Sequence, residues 1–286
     1  MVRRIRPFLL VVSVVVIAAS AAMPSEPSSR PYLALGDSVV FGFINNAGFA
    51  YVNPANFIGF PDYAGRALKL TDFNAACPGE TTGSFLSASA PDNGCKFFRS
   101  QVPLHVQYSG TQSSFALTFL AIHRQTRLVT VLLGANDVAL LETACAGDPT
   151  CIANGLPQVL ATVSQNMATI LGEIRGTGYR GVIIVENYYS LDYTNPTATE
   201  GTALLNQAVT APAATFGAVV ADVFSAFRAA AASNPFAGGN TCKAGLLNAS
   251  TTDQFTCDVH PSQSGQQLIA QAVESAYAAA LRAQSE

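Results

Sequence analysis

The chain has 286 residues, of which 49% are hydrophobic and 12% are charged, and its formal net charge at pH 7 is −3. A chain of this length can bury a core large enough for one globular domain. Because no part of it is strongly basic, we expect no binding of nucleic acid.

The first 22 residues are predicted to be a signal peptide. Arg3, Arg4 and Arg6 form a positive start, an apolar run follows over residues 8–19, and small residues at 19–22 offer a cleavage site. The apolar run of about 15 residues is shorter than the roughly 20 that span a bilayer. We therefore expect cleavage, rather than retention as a membrane anchor, and no stable membrane insertion afterwards. Residues 23–30 are expected to be a flexible start of the mature chain, and residues 31–286 one domain.

Five apolar runs rich in β-branched residues predict strands that are buried on both faces of a parallel sheet. They cover residues 31–35, 71–76, 128–133, 181–186 and 218–223. Helical spacing of apolar residues predicts helices over 156–174, 203–214 and 263–283. Alternation of this kind predicts a three-layer α/β/α sandwich with a central, five-stranded, mostly parallel sheet.

A Gly-Asp-Ser sequence follows the first predicted strand and places Ser38 at the end of that strand. A serine hydroxyl is a poor nucleophile until an imidazole accepts its proton, and His260 precedes the last predicted helix. Since chemistry in such sheets lies beyond the carboxyl ends of the strands, we expect the two to meet there. The alternative role of Ser38 is to cap the next helix. We expect His105 and His123 to be surface or packing residues.

Two more segments that follow predicted strands offer donors for an oxyanion. Gly79 exposes a backbone N–H with no side chain in the way, Asn136 offers a side-chain amide, and the Ser38 N–H is the third candidate. Three such donors stabilise a tetrahedral intermediate, each by roughly 3–4 kcal/mol. The alternatives are that Gly79 only permits a tight turn and that Asn136 only satisfies loop backbone groups.

Aromatic residues crowd the connection between the first two predicted strands. One interpretation is an apolar wall that binds an acyl group near the nucleophile, and the other is packing of an extended loop. The residues are Phe41, Phe43, Phe49, Tyr51, Phe57 and Phe60.

Six cysteines are typical of an exported protein and allow 15 pairings. They cluster in the sequence, and this clustering favours local pairing as our hypothesis. No pair has the Cys-x-x-Cys spacing of a common zinc site, so we expect no metal. The favoured pairs are Cys77 with Cys95, Cys145 with Cys151, and Cys242 with Cys257.

The blocks around Ser38, Gly79, Asn136 and His260, in this order, resemble the SGNH hydrolase superfamily, also called the GDSL esterases and lipases. The resemblance covers residues 31–283 and implies a flavodoxin-like version of the predicted sandwich. It also implies ester substrates, acylation of Ser38 with His260 as base and then acid, and no metal or organic cofactor.

The last block departs from the superfamily's Asp-x-x-His pattern, because Cys257 occupies the place of the acid. Asp258, two residues before His260, is our candidate for the acid of the triad. The alternatives are a backbone carbonyl that orients the imidazole of a Ser–His dyad, and the acid Asp253.

Together these features predict a secreted serine carboxylic-ester hydrolase, an esterase or lipase that acts as a monomer outside the cell or in the cell envelope. One alternative is a carbohydrate O-acetylesterase with the same machinery. The other is a non-catalytic carbohydrate- or lipid-binding protein, which the presence of Ser38, Asn136 and His260 disfavours.

Overall fold

A computed structural model describes residues 30–250 and 256–285 of the chain. The predicted signal peptide over residues 1–22 lies outside the described residues, as do residues 23–29 of the predicted flexible start and the candidate acid Asp253. No helix within the described ranges is long and apolar enough to cross a membrane.

Five parallel strands form the central sheet, in the order β2-β1-β3-β4-β5. The inner strands β1, β3 and β4 are buried almost throughout, as expected for a parallel sheet with helices on both faces. All five predicted strands are confirmed, with ends that differ by at most two residues. The strands are β1 Arg30–Gly36, β2 Leu70–Asn74, β3 Leu128–Leu132, β4 Val182–Glu186 and β5 Val219–Ala221.

Helices cover both faces of this sheet and complete the predicted three-layer sandwich. Helices α2, α9 and α10 pack together on one face, and α5, α7 and α8 pack together on the other. The helices are α1 Ser38–Phe41, α2 Phe60–Leu68, α3 Thr82–Leu86, α4 Cys95–Gln101, α5 Gln112–Ile122, α6 Ala135–Ala144, α7 Pro149–Gly176, α8 Pro196–Thr210, α9 Val223–Ser233 and α10 Gln263–Ala283. The 3₁₀ turns are Gly48–Val52, Pro54–Asn56 and Ala213–Phe216.

The predicted helix over 263–283 matches α10, but two other predicted helices have different bounds. Helix α7 begins well before residue 156, because the Asp148 carboxylate caps it by accepting a hydrogen bond from the Cys151 N–H. Helix α8 begins after the cap residue Asn195 and ends at residue 210, before Pro212. The prediction over 203–214 was therefore too late at both ends.

A short antiparallel pair lies outside the main sheet and was not predicted. It consists of β6 Leu247–Ala249 and β7 Cys257–Pro261, and α10 packs against both strands. Strand β7 alternates apolar and polar residues, but over only five positions and without a matching alternation of burial, so its strand signal is weak. It places His260 just before α10.

Candidate active site

Ser38 is presented by a sharp turn where β1 passes into α1. Asp37, and not Ser38, caps this helix, since its Oδ1 accepts a hydrogen bond from the Val39 N–H at 2.9 Å. The turn requires glycine at residue 36, where a Cβ would lie 2.5 Å from the carbonyl oxygen of Leu132. Because Asp37 supplies the cap, the Ser38 hydroxyl is not used for capping and faces His260.

His260 lies between Ser38 and Asp258. Its Nε2 is 2.9 Å from the Ser38 Oγ, and its Nδ1 is 2.9 Å and 2.8 Å from the two carboxylate oxygens of Asp258. Asp258 and His260 are two residues apart in β7, and residues with this spacing project to the same side of a strand. The strand therefore brings the acid to the imidazole without the usual three-residue spacing.

The electrostatics of Asp258 suit a group that orients an imidazole. Burial raises the pKa of Asp258, but its hydrogen bond and Coulombic attraction to His260 lower that pKa, as do the Val259 and Asn45 N–H groups. The net pKa lies below the usual range, so the carboxylate is ionised at neutral pH. An ionised Asp258 accepts a hydrogen bond from the Nδ1–H of His260. The unprotonated Nε2 of His260 can then accept a hydrogen bond from the Ser38 hydroxyl.

Several contacts hold the histidine strand in place. The Phe43 ring packs on the His260 ring, with 4.9 Å between centroids. The buried Tyr189 hydroxyl donates a hydrogen bond to the Val259 carbonyl at 2.6 Å. The disulfide between Cys242 and Cys257 ties the residue before Asp258 to the preceding loop.

The three candidate oxyanion donors lie on segments that follow β1, β2 and β3. Gly79 has a φ of +86°, and a Cβ there would lie 2.3 Å from the Asn93 carbonyl oxygen, so glycine is required. In the part of the chain that the structure describes, no protein acceptor takes the N–H of Ser38 or of Gly79. Both groups are available to a ligand.

Asn136 is oriented by its neighbours in the first turn of α6. Its Nδ2 donates one hydrogen bond to the Glu80 carbonyl at 3.0 Å, and its Oδ1 accepts a hydrogen bond from the side-chain amide of Asn93 at 2.8 Å. Since a side-chain amide carries two N–H bonds, the second remains for a ligand.

The aromatic residues of the first connection lie in different environments. Three of them are buried in the core, which agrees with packing, and Phe49 is 95% exposed. Phe43 and Tyr51 are half-buried, stack at 5.7 Å, and pack edge-on against Phe98, so that this group borders His260. The buried three are Phe41, Phe57 and Phe60.

The other cysteines and histidines have structural partners. The structure joins Cys77 to Cys95 and Cys145 to Cys151, which are local pairs like the third disulfide. Cys77 and Cys95 lie beside the Glu80 carboxylate, but sulfurs joined in a disulfide are not thiolate ligands for a metal. His105 is hydrogen-bonded to the Phe41 carbonyl, and His123 stacks on Phe119.

Sequence reasoning missed three buried residues that support this site, namely Tyr188, Glu80 and Gln112. Burial raises the pKa of Asp37 to about 6, and its Oδ2 accepts a 2.6 Å hydrogen bond from Tyr188. Glu80 and Gln112 form a second buried pair, joined at 3.1 Å. A carboxylate directly after Gly79 was a signal available in the sequence, whereas Gln112 had none.

Comparison with known proteins identifies the family of this chain. Residues 34–268 match the model of the GDSL-like lipase/acylhydrolase family. No curated protein gave a significant match.

Solved structures with the same fold include three hydrolases. Phospholipase A1 from Streptomyces albidoflavus is 19% identical with a TM-score of 0.58, over 87% of this chain and all of that one. A lipase from a goat rumen metagenome is 16% identical with a TM-score of 0.54, over 87% and 97% of the two chains. An acetyl xylan esterase variant from Geobacillus stearothermophilus is 14% identical with a TM-score of 0.51, over 87% and 94%.

The family match spans most of the chain, and these structures share its central sheet and flanking helices. The chain therefore belongs to the GDSL-like lipase/acylhydrolase family and is a hydrolase of ester bonds.

Proposed function

We propose that this protein is an exported serine esterase that cleaves carboxylic esters through an acyl-enzyme on Ser38. The contact that carries this proposal is the 2.9 Å distance between the Ser38 Oγ and the His260 Nε2, with Asp258 on the other ring nitrogen. A nucleophile, a base and an orienting acid in this connectivity are the parts of acyl transfer.

In the proposed reaction His260 accepts the Ser38 proton while the Ser38 Oγ bonds to the carbonyl carbon of the ester. The negative charge on the carbonyl oxygen is stabilised by the N–H groups of Ser38 and Gly79 and by the free N–H of Asn136. The imidazolium, paired with Asp258, then gives its proton to the departing alcohol. A water molecule, deprotonated by His260, releases the acid. Every proton is moved by His260, so the reaction requires no metal or organic cofactor.

The surface beside His260 favours an apolar acyl group. Phe43, Tyr51 and Phe98 present half-buried rings there, and residues 38–61 contain no Asp, Glu, Lys, Arg or His. Burying an acyl chain against these rings is favourable by about 0.8 kcal/mol for each methylene. We infer a preference for acyl groups longer than acetyl.

Export is supported by the disulfides. The described part of the chain contains three of them. Disulfides persist in oxidising compartments outside the cytosol. Together with the signal peptide predicted over residues 1–22, this favours a place outside the cell or in the cell envelope.

The test is hydrolysis of p-nitrophenyl esters from acetate to palmitate by the mature protein and by its Ser38→Ala variant. We expect rates that rise beyond acetate, loss of at least about 10³-fold activity in Ser38→Ala, and wild-type rates in the control Ser275→Ala, an exposed residue of α10. A clear preference for acetate would favour the carbohydrate O-acetylesterase. A folded, oxidised protein inactive on every ester would favour the binding protein.

A further inference from the structure

We propose that Glu80 is a positioning residue that, together with Gln112, holds the three oxyanion donors in place. This inference rests on the proposed function. Its basis is that the buried Glu80 follows Gly79 directly, accepts a hydrogen bond from Asn136 and reaches the turn before Ser38 through Gln112.

Gln112 clamps the turn that precedes Ser38. Its side chain is fully buried at the start of α5, its Oε1 accepts a hydrogen bond from the Gly36 N–H at 2.6 Å, and its Nε2 donates one to the Gly36 carbonyl at 3.0 Å. Two bonds to one residue restrain that backbone as a neighbouring strand would. The direction of the Ser38 N–H, two residues on, depends on this clamp.

The Glu80 carboxylate selects the orientation of the Gln112 amide. Glu80 is 3% exposed, its Oε2 accepts a hydrogen bond from the Gln112 Nε2 at 3.1 Å, and its Oε1 accepts one from the Ser84 hydroxyl at 2.5 Å. A Gln112 amide turned by 180° would place its oxygen against this carboxylate and its NH₂ against the Gly36 N–H. The ionised form of the carboxyl disfavours that orientation strongly.

The backbone of Glu80 reaches the other two donors. Glu80 follows Gly79 directly, so restraining its side chain also restrains the peptide next to the Gly79 N–H. The Glu80 carbonyl accepts the 3.0 Å hydrogen bond that orients Asn136. The side chain of Glu80 thus restrains the turn before Ser38 through Gln112. Its backbone restrains Gly79 and Asn136.

The environment of Glu80 shows that a carboxylate here is costly. Burial raises the pKa of Glu80 to about 7, against the hydrogen bonds from Ser84 and Gln112, which lower it. Strongly perturbed carboxyls of this kind concentrate at functional sites. Its oxygens accept hydrogen bonds from Ser84 and Gln112, so a role through its neighbours accounts for its position.

The test compares Glu80→Met and Gln112→Met, which remove the hydrogen bonds but keep an unbranched side chain. We expect each to lower kcat on a soluble p-nitrophenyl ester by about 10–100-fold with KM within about threefold, because only transition-state donors are displaced. The double variant should lose no more than the stronger single one, because both substitutions interrupt one chain of contacts. Glu80→Gln retains an acceptor oxygen and should recover most of kcat.

Glu173→Met is the matched control, because the Glu173 carboxylate accepts a comparable 2.6 Å hydrogen bond from Ser113 on the neighbouring α5. We expect it to change the melting temperature but not kcat. Methionine variants of Glu80 and Gln112 that melt earlier yet keep wild-type kcat below their melting temperature would overturn this inference alone. An inactive wild type, or an active Ser38→Ala, would overturn the proposed function and this inference together.

Discussion

At the scale of single residues, the acid beside His260 is where this chain departs most from its family's pattern. Asp258 reaches the imidazole because both residues lie in β7, where alternate side chains share a face. The usual three-residue spacing suits a loop or a helical turn, and it would place the two groups on opposite faces of a strand. The strand thus explains why Cys257 can occupy the usual place of the acid.

Replacing Asp258 by Asn should lower kcat by about 10³–10⁴-fold, because an amide does not stabilise the Nδ1–H tautomer or the imidazolium. Steady-state kinetics on a soluble ester, with the folded state checked by circular dichroism, measures the effect. Asp253→Asn, which removes the other candidate acid, should retain the wild-type rate. A loss that follows Asp253 instead would show that Asp258 is not the acid.

At the scale of elements, the proposed nucleophile and the proposed base lie on different structures. Ser38, Gly79 and Asn136 follow strands of the main sheet, whereas His260 lies on the small β6–β7 pair. That pair is too short to be stable alone. Its position depends on packing against α10, the Tyr189 hydrogen bond and the disulfide between Cys242 and Cys257.

Removing this disulfide with Cys242→Ala and Cys257→Ala should lower the free energy of unfolding by about 3 kcal/mol in the chain-entropy model. It should also lower kcat, because β7 then moves relative to Ser38.

The control is the double variant Cys145→Ala and Cys151→Ala, which removes a disulfide whose cysteines are 6 residues apart in sequence rather than 15. That variant should lose about 2 kcal/mol and keep kcat. Urea unfolding and initial rates measure both quantities, and equal kcat losses in the two variants would contradict a specific role of the β7 disulfide.

At the scale of the whole molecule, stability is reduced by buried acids near the carboxyl ends of the strands. Glu186, the last residue of β4, is fully buried, and neither carboxyl oxygen has a hydrogen-bond partner among the described residues. Burial raises the pKa of Glu186 well above its ordinary value. The folded state therefore binds this proton more tightly than the unfolded state, so the contribution of Glu186 to stability is greatest in acid and falls as pH rises above its unfolded pKa.

Glu186→Met should raise the free energy of unfolding more at pH 8 than at pH 5, because it removes the cost of ionising a buried carboxyl. Between the unfolded and folded pKa values of Glu186, ionisation of this group lowers the free energy of unfolding by about 1.4 kcal/mol for each pH unit, and the substitution removes this dependence. Urea unfolding across this range measures it, with Glu200→Met on the surface as the control. An equal gain at both pH values would show that Glu186 does not titrate between them.

The sequence by itself determined the sheet and the parts of the site that follow its strands. Runs such as residues 128–133 are apolar on both faces, and this local signal predicts a buried parallel strand. Because parallel strands end at one edge, the positions of Ser38, Gly79 and Asn136 after three of them predicted their proximity. The late start assigned to α8 shows the limit of the signal, since its first turns depend on the cap at Asn195.

Only the tertiary structure decided which buried polar groups meet. Gln112 is 76 residues from Gly36, and Tyr188 is 151 residues from Asp37, so no local pattern connects these partners. Strand β7 is held by β6, α10 and a disulfide, and the contact between Asp258 and His260 follows from that strand. Periodic burial is encoded locally, whereas a hydrogen bond between distant residues exists only once the chain has folded around it.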